Sequence, residues 1–367
     1  MEWTRTLKPC FKRENGKIYI KGREYIDFSS NDYLGLSFHP RLKEACKRAI
    51  SEFGIGSCGS RLLSGDYEIH HRLEEEIAKL KGKEKGLIFN SGYQANLGII
   101  SAICDRESLI IADRFSHASI IDGCILSKAR LLRFNHNDVD HLESLLKKNK
   151  AKNIWVITES VFSMDGDKAP LLDIVSLKER YNFKTLVDEA HATGIFGKDG
   201  AGLVDELGLT SNIELIMGTF SKALGSFGGY VVGDKKTIEL FINKSRGFIY
   251  STSLPPSIIS VNIEAIRLLK DEPERRKVLL KNAFYFRKML KIEGETQIVP
   301  FILGNEELTV KGAEYLREKG FWALPIRPPT VPKNTSRIRF SLCFYHTREI
   351  LNRLMGALKI YHEGYEL

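Results

Sequence analysis

The chain has 367 residues, 43% of them hydrophobic, 28% charged and 10% aromatic, with a formal net charge of +9. That is a globular composition, too long for one simple core and without an apolar run of membrane-spanning length, so a membrane partner is not expected. Its 55 Lys and Arg are mixed with 46 Asp and Glu, as in RLEEEIAKLKGKEKG, and no basic tract interleaved with aromatics occurs, which argues against nucleic acid and leaves phosphate-bearing small molecules as partners.

The opening MEWTRTLKPCFKR carries charges throughout and no apolar signal core, so a cytoplasmic location is expected. Six cysteines without a CxxC pair or zinc-like spacing predict reduced, mostly buried thiols and no metal site. From about residue 86, short apolar runs alternate with helical patterns. The strand candidates are GLIF, SLIIAD, RLLRF, NIWVITES, TLVDEA, LIMGTF and GGYVVG. NLGIISAIC, VDHLESLLKKN and LLDIVSLKERY are helix candidates between them. This alternation predicts an α/β fold with a mainly parallel central sheet covered by helices on both faces. After STSLPPS, long helical segments run through residue 295, and a weaker mixture follows (QIVPFIL, FWALPIR, SRIRFSLCF). The expected division is an N-terminal segment, 1–41, packing with a smaller C-terminal α+β domain, 254–367, and a large domain, 42–253.

Ligands of such sheets bind beyond the carboxyl ends of the strands, so residues just after each apolar run carry the information. After GLIF, Ser91, Gly92 and Tyr93 open a helix whose free N–H groups attract an anion. After SLIIAD comes His117, and after NIWVITES comes Ser163 in a loop of turn-formers. TLVDEA ends on Asp188, with His191 three residues on. A carboxylate at the end of a buried strand is costly unless a cation or strong donor meets it. LIMGTF leads to Lys222, set between Thr219 and a glycine-rich exit, where desolvation favours an amine nucleophile over a solvated charge. An anion cradle, a strand-end aspartate and a boxed lysine are the parts that pyridoxal 5'-phosphate needs. The lysine binds its aldehyde as a Schiff base, the aspartate keeps the pyridinium nitrogen protonated, and the helix start holds the phosphate.

The tracts SSNDYLGL, GSRLLSG, SGYQAN, FSHAS, ESVFSMDGD, VDEAHATGIFG and GTFSKALGSFGGY resemble, almost end to end, those of the α-oxoamine synthases, pyridoxal-phosphate enzymes of fold type I. The resemblance implies roles by position. Lys222 would bind the cofactor and move protons at the substrate α-carbon, Asp188 would pair with the pyridinium nitrogen, His191 with the phenolic oxygen, and His117 would stack on the ring. Gly92, Tyr93, Ser163 and Thr219 would contact the cofactor. Ser251 and Thr252, before SLPP, would reach the phosphate of a partner protomer in a homodimer with shared sites. Asn31 would lie near the substrate carboxylate. Arg5 and Thr330 match substrate-contacting positions, and Arg327 is a candidate carboxylate holder.

The tract LPIRPPTVP and the short segment before NDYLG are similar to the branch that condenses L-alanine with a pimeloyl thioester, on coenzyme A or an acyl carrier protein, in making a biotin precursor. Alternatives are the branch that joins glycine to acetyl-CoA and, more remotely, an aminotransferase. A binding module without catalysis is disfavoured by Lys222, Asp188 and His191 occurring together.

Overall fold

In the computed structural model, residues 7–364 are described, and they cluster into two compact units. The larger comprises His39–Ser163 and Asp167–Arg276. Its centre is a seven-stranded sheet in the order Lys85–Phe89, Gly229–Gly233, Leu215–Thr219, Lys184–Asp188, Asn153–Glu159, Ser108–Asp113 and Arg130–Phe134. All seven apolar runs picked out above form these strands. Six run parallel. Gly229–Gly233 runs antiparallel to both its neighbours. Apart from exposed Lys184 and half-buried Asn153 and Ile154 at their starts, the inner strands are buried along their length, which is why they read as continuous apolar runs rather than alternating ones. Phe89, Ile110, Trp155, Ile157, Leu186 and Met217 form the sheet side of the main core, and Ile99, Ile120 and Phe241 the helix side.

The sequence predicts one helix over LLDIVSLKERY. Instead, helix Leu171–Ser176 tightens into a 3-10 turn at Leu177–Glu179. Helix Pro256–Asp271 packs on helices Pro40–Phe53 and Glu68–Leu80, so residues 254–276 cluster with the larger unit, not with the smaller domain in which they were expected.

The smaller unit holds the described residues up to Phe38, Met164–Gly166 and the described residues from Lys277 onward. Strands Lys12–Glu14, Lys17–Ile20 and Arg23–Asp27 form an antiparallel meander, and Phe321–Trp322 adds parallel to the last of them. Ile298–Gly304, Ser336–Ser341 and Pro325–Ile326 make a second sheet. The tract FWALPIR is therefore split between two sheets. Pro325 lacks the N–H that a continuing ladder needs, and it stiffens the residue before it. Arg337 donates to the Met164 carbonyl and to Asp165, which ties the short 164–166 segment to this unit. Of the six cysteines, Cys104, Cys124 and Cys343 are buried, whereas Cys10 and Cys58 are exposed.

Candidate active site

The carboxyl ends of the parallel strands of the larger unit open onto a cleft of about 180 Å³. Its lining contains Gly92, Tyr93, His117, Asp188, His191, Thr219 and Lys222, seven of the residues singled out from sequence. They come from four strand exits, those of Lys85–Phe89, Ser108–Asp113, Lys184–Asp188 and Leu215–Thr219, so the sheet assembles what the chain keeps apart.

Helix Gly92–Ile103 begins with Ser91 as N-cap, its Oγ accepting from Gln94 N–H at 3.1 Å. That leaves the other first-turn N–H groups pointing at the cleft. Glycine is required close by. A Cβ on Gly229 would lie 2.6 Å from the Ser91 carbonyl and 2.7 Å from the Gly92 nitrogen. Thr219 is buried, and its hydroxyl contacts the Gly228 carbonyl and Ser221 Oγ, both at 2.7 Å. Its Oγ also accepts the Ser221 N–H, so the turn before Lys222 is closed by side chains.

Asp188, only 5% exposed, accepts from Ala190 N–H at 2.8 Å and from Asn96 Nδ2 at 2.9 Å. Glu159 pairs with it in register on the neighbouring strand and accepts the His117 backbone N–H at 2.6 Å. Burial, and then the Asp188 charge, hold the Glu159 carboxyl well above the usual range. His117 caps helix Ala118–Ser127, its Nδ1 accepting from Ser119 N–H at 3.2 Å. Desolvation, followed by repulsion from Lys222, lowers the imidazole pKa against the pull of Asp188 and Asp122. Tyr93 packs edge-on to the His117 ring with centroids 6.1 Å apart, and its hydroxyl donates to Asp122.

Beneath the cleft, Lys81 and Glu189 form a fully buried ion pair at 2.6 Å. Lys81 also donates to Thr193 Oγ1 at 2.8 Å, and Val204 N–H donates to Glu189 at 2.9 Å. This network fixes the loop that follows Asp188.

Other expected residues do not line the cleft of this chain. Ser251 and Thr252 sit behind the helix start. Gln94 Nε2 donates to Ser251 Oγ at 2.5 Å, and Asn90 Nδ2 donates to the Thr252 carbonyl at 2.8 Å. Ser163 is half-buried in its loop outside the lining. Asn31, Arg327 and Thr330 belong to the smaller unit. There Asn31 Oδ1 accepts from Tyr33 OH at 3.1 Å and from Arg339 at 3.2 Å, while the Thr330 N–H donates to the Arg327 carbonyl at 3.0 Å. Arg5 lies outside the described residues.

Sequence reasoning missed Asn96, Ser119, Glu159 and Arg339. Glu159 was accessible to the logic that found Asp188, since it too ends a buried strand. Arg339 sits in SRIRFS, a strand with every residue buried, where two arginines at a spacing of two are themselves a signal.

The residues suit pyridoxal phosphate. A buried carboxylate supplied with donors faces a cleft that also holds a lysine and a helix N-terminus, and a Cβ at position 229 would displace the Ser91–Gly92 backbone that forms that helix start.

Residues 23–358 match the family described as aminotransferase class I and II. The 8-amino-7-oxononanoate synthase of Geobacter sulfurreducens is 43% identical over 364 residues, covering 96% of this chain and 93% of that protein. A serine palmitoyltransferase of S. paucimobilis, solved with a bound PLP–myriocin adduct, superposes with a TM-score of 0.93 at 33% identity, covering 96% of this chain and 91% of that one. The 8-amino-7-oxononanoate synthase of Francisella tularensis superposes with a TM-score of 0.81 at 29% identity, covering 93% and 98%. The chain belongs to the class I and II aminotransferase family and, within it, to the α-oxoamine synthases.

Proposed function

We propose that the protein is a pyridoxal-phosphate-dependent acyltransferase. It condenses L-alanine with a pimeloyl thioester to give 8-amino-7-oxononanoate, CO2 and the free thiol, a step of biotin biosynthesis. The observation that carries this reading is the convergence of Lys222, Asp188, His191 and His117 on one cleft, in a chain whose relatives at 41–45% identity bear that enzyme's name. When bound, the cofactor supplies an electron sink for the carbanion at the alanine α-carbon.

The side chains do the rest. Lys222 would hold the cofactor, and its amine would take and return the proton at the α-carbon of alanine. Asp188 would accept from the N–H of the cofactor ring, and His191 would donate to its phenolic oxygen. Gly92, Tyr93, Thr219 and, from its loop, Ser163 would contact the cofactor, and the helix start would hold its phosphate. His117, which lines the cleft, would stack on the cofactor ring and orient the bond to be broken. Asn31, Thr330, Arg5 and Arg327 are assigned to the substrate side. Arg339 joins them, because its guanidinium bonds the same Asn31 oxygen and offers a planar fork to a carboxylate. Ser251 and Thr252 serve the site of a second protomer in a homodimer, which fits their position behind the helix start rather than in the cleft. The acyl donor carries coenzyme A or an acyl carrier protein, both acidic partners for a chain of charge +9. The cytoplasm is the proposed location.

The second reading is the serine–palmitoyl activity, favoured by the higher TM-score to that enzyme. Sequence outweighs it, because the family shares one backbone and a curated relative bearing the pimeloyl enzyme's name is 43% identical over 96% of this chain. Thiol release by the purified yellow protein across alanine, glycine and serine with pimeloyl-, acetyl- and palmitoyl-CoA decides between them. Release confined to alanine with pimeloyl-CoA is expected. Release with serine and palmitoyl-CoA, or with glycine and acetyl-CoA, would replace the substrate assignment. Lys222→Ala should abolish release while still binding the cofactor, and undiminished turnover in it would end the mechanism.

A further inference from the structure

Asn96 and Ser119, each 1% exposed, connect Asp188 to His117. Asn96 Nδ2 lies 2.9 Å from Asp188 Oδ2 and 3.0 Å from Ser119 Oγ, and Ser119 Oγ lies 2.8 Å from His117 Nδ1. From this chain of contacts we infer that Asn96 and Ser119 are positioning residues. They hold His117 as the neutral tautomer protonated on Nε2, so that it offers the cleft a donor and not a base.

The direction of every hydrogen follows from the ends of the chain. A carbonyl oxygen facing Asp188 would oppose a carboxylate, so the amide presents its nitrogen there. Its two hydrogens are then spent on Asp188 and on Ser119 Oγ. Asn96 Oδ1 is buried without a hydrogen-bond partner, so nothing on the oxygen side competes for the amide's orientation. Ser119 Oγ still has its own hydrogen after accepting from Asn96, and it directs that hydrogen to His117 Nδ1 because a backbone N–H, which can only donate, already marks that nitrogen as the acceptor. The Ser119 N–H points at the same nitrogen from 3.2 Å. Two donors on one lone pair leave no space for a hydrogen, and the ring proton sits on Nε2.

Protonating His117 would place a hydrogen on Nδ1 against both donors. The charges around the ring are Asp188 and Lys222 across the cleft and Asp122 on its own helix. Glu159 is bonded to its backbone N–H, and Tyr93 lies edge-on to the ring. The tautomer itself does not depend on the proposed reaction. Its consequence does rest on that reading: with His117 a donor, proton removal from alanine falls to Lys222 alone.

The test is 15N-histidine NMR on the full-length protein, with and without pyridoxal phosphate, with the His117 pair identified by its loss in His117→Gln. The expected result near neutral pH is an unprotonated Nδ1 and a protonated Nε2. In Ser119→Ala the neutral ring loses a donor, so His117 should titrate at higher pH than in the wild type. kcat should fall about tenfold, the worth of one hydrogen bond, with the KM for alanine little changed. Ser119→Thr keeps the hydroxyl and should restore the wild-type titration. Asn96→Ala tests the same chain from its other end and should move His117 in the same direction. A proton on Nδ1 in the wild type, or an unmoved His117 titration in both Ser119→Ala and Asn96→Ala, would overturn the assignment. Because the cofactor-free protein reports the tautomer, this outcome is separable from the Lys222→Ala result.

Discussion

His136 makes a contact that only one protonation state can make, and the stability of the larger unit should register it. Its Nδ1 lies 3.0 Å from Asp113 Oδ1 and its Nε2 2.7 Å from Asp167 Oδ2. Both carboxylate oxygens accept, so both ring nitrogens must donate, and only the imidazolium has two N–H groups. The ring stacks on Phe115 at 4.4 Å and meets Phe162 edge-on at 4.4 Å. The two carboxylates overcome the cost of burial and push the pKa up from 6.5 to about 10. The folded value lies above the unfolded one. The stabilisation is therefore complete below pH ~6.5, where both states are charged, and is lost as pH rises through about 10. Within that window the folded state carries one extra proton, which gives a slope of about −1.4 kcal/mol per pH unit and on the order of 3–5 kcal/mol across the whole of it. Urea unfolding of wild type and His136→Gln at pH 7, 8 and 9 isolates the effect, since other titrating groups cancel in the difference. The wild-type advantage should shrink by roughly a factor of ten in the unfolding constant per unit. A difference that stays constant from pH 7 to 9 would refute the doubly donating imidazolium.

Glu159 works in the same direction of linkage. Its raised carboxyl pKa adds stability at low pH that is lost as pH rises through the folded value, so Glu159→Gln should gain stability relative to wild type at pH 8 and gain less at pH 5. Urea midpoints at the two pH values check the order, and the opposite order would mean that Glu159 is ionised in the fold. Arg339→Lys keeps the charge but loses the planar fork. It should raise the KM for alanine roughly tenfold or more while leaving the cofactor's absorption spectrum unchanged, and steady-state kinetics beside that spectrum read both.

The sites legible in the sequence were those whose chemistry is set by one strand exit. Asp188, His191, Thr219 and Lys222 each follow an apolar run, and a charged group at the end of such a run needs an explanation on its own. The direction of Gly229–Gly233 was not legible, because a strand buried on both faces is apolar at every position and carries no mark of whether its neighbours run with it or against it. The extent of the smaller domain failed for a related reason. Helix Pro256–Asp271 is buried on many sides, and its residues do not say which helices cover them.

The supporting polar groups were hidden more deeply. Asn96 lies in a helix that is otherwise nearly all apolar or small, and from sequence alone it reads as an ordinary polar position near a helix start. Its meaning lies in Asp188, 92 residues away, and in Ser119, 23 residues away. Lys81 and Glu189 are 108 residues apart and look like two more members of a Lys- and Glu-rich surface, yet they are 1% and 0% exposed. A buried ion pair gives little net stability, but removing one partner costs about 3–5 kcal/mol, so such pairs enforce one arrangement over its alternatives. Glu189 immediately follows Asp188 and precedes His191 by two residues, so the constraint lands on the backbone that aims both groups into the cleft. The reactive groups can be read one at a time because each answers to its own strand end. The groups that aim them answer to each other, and only the folded sheet brings them into reach.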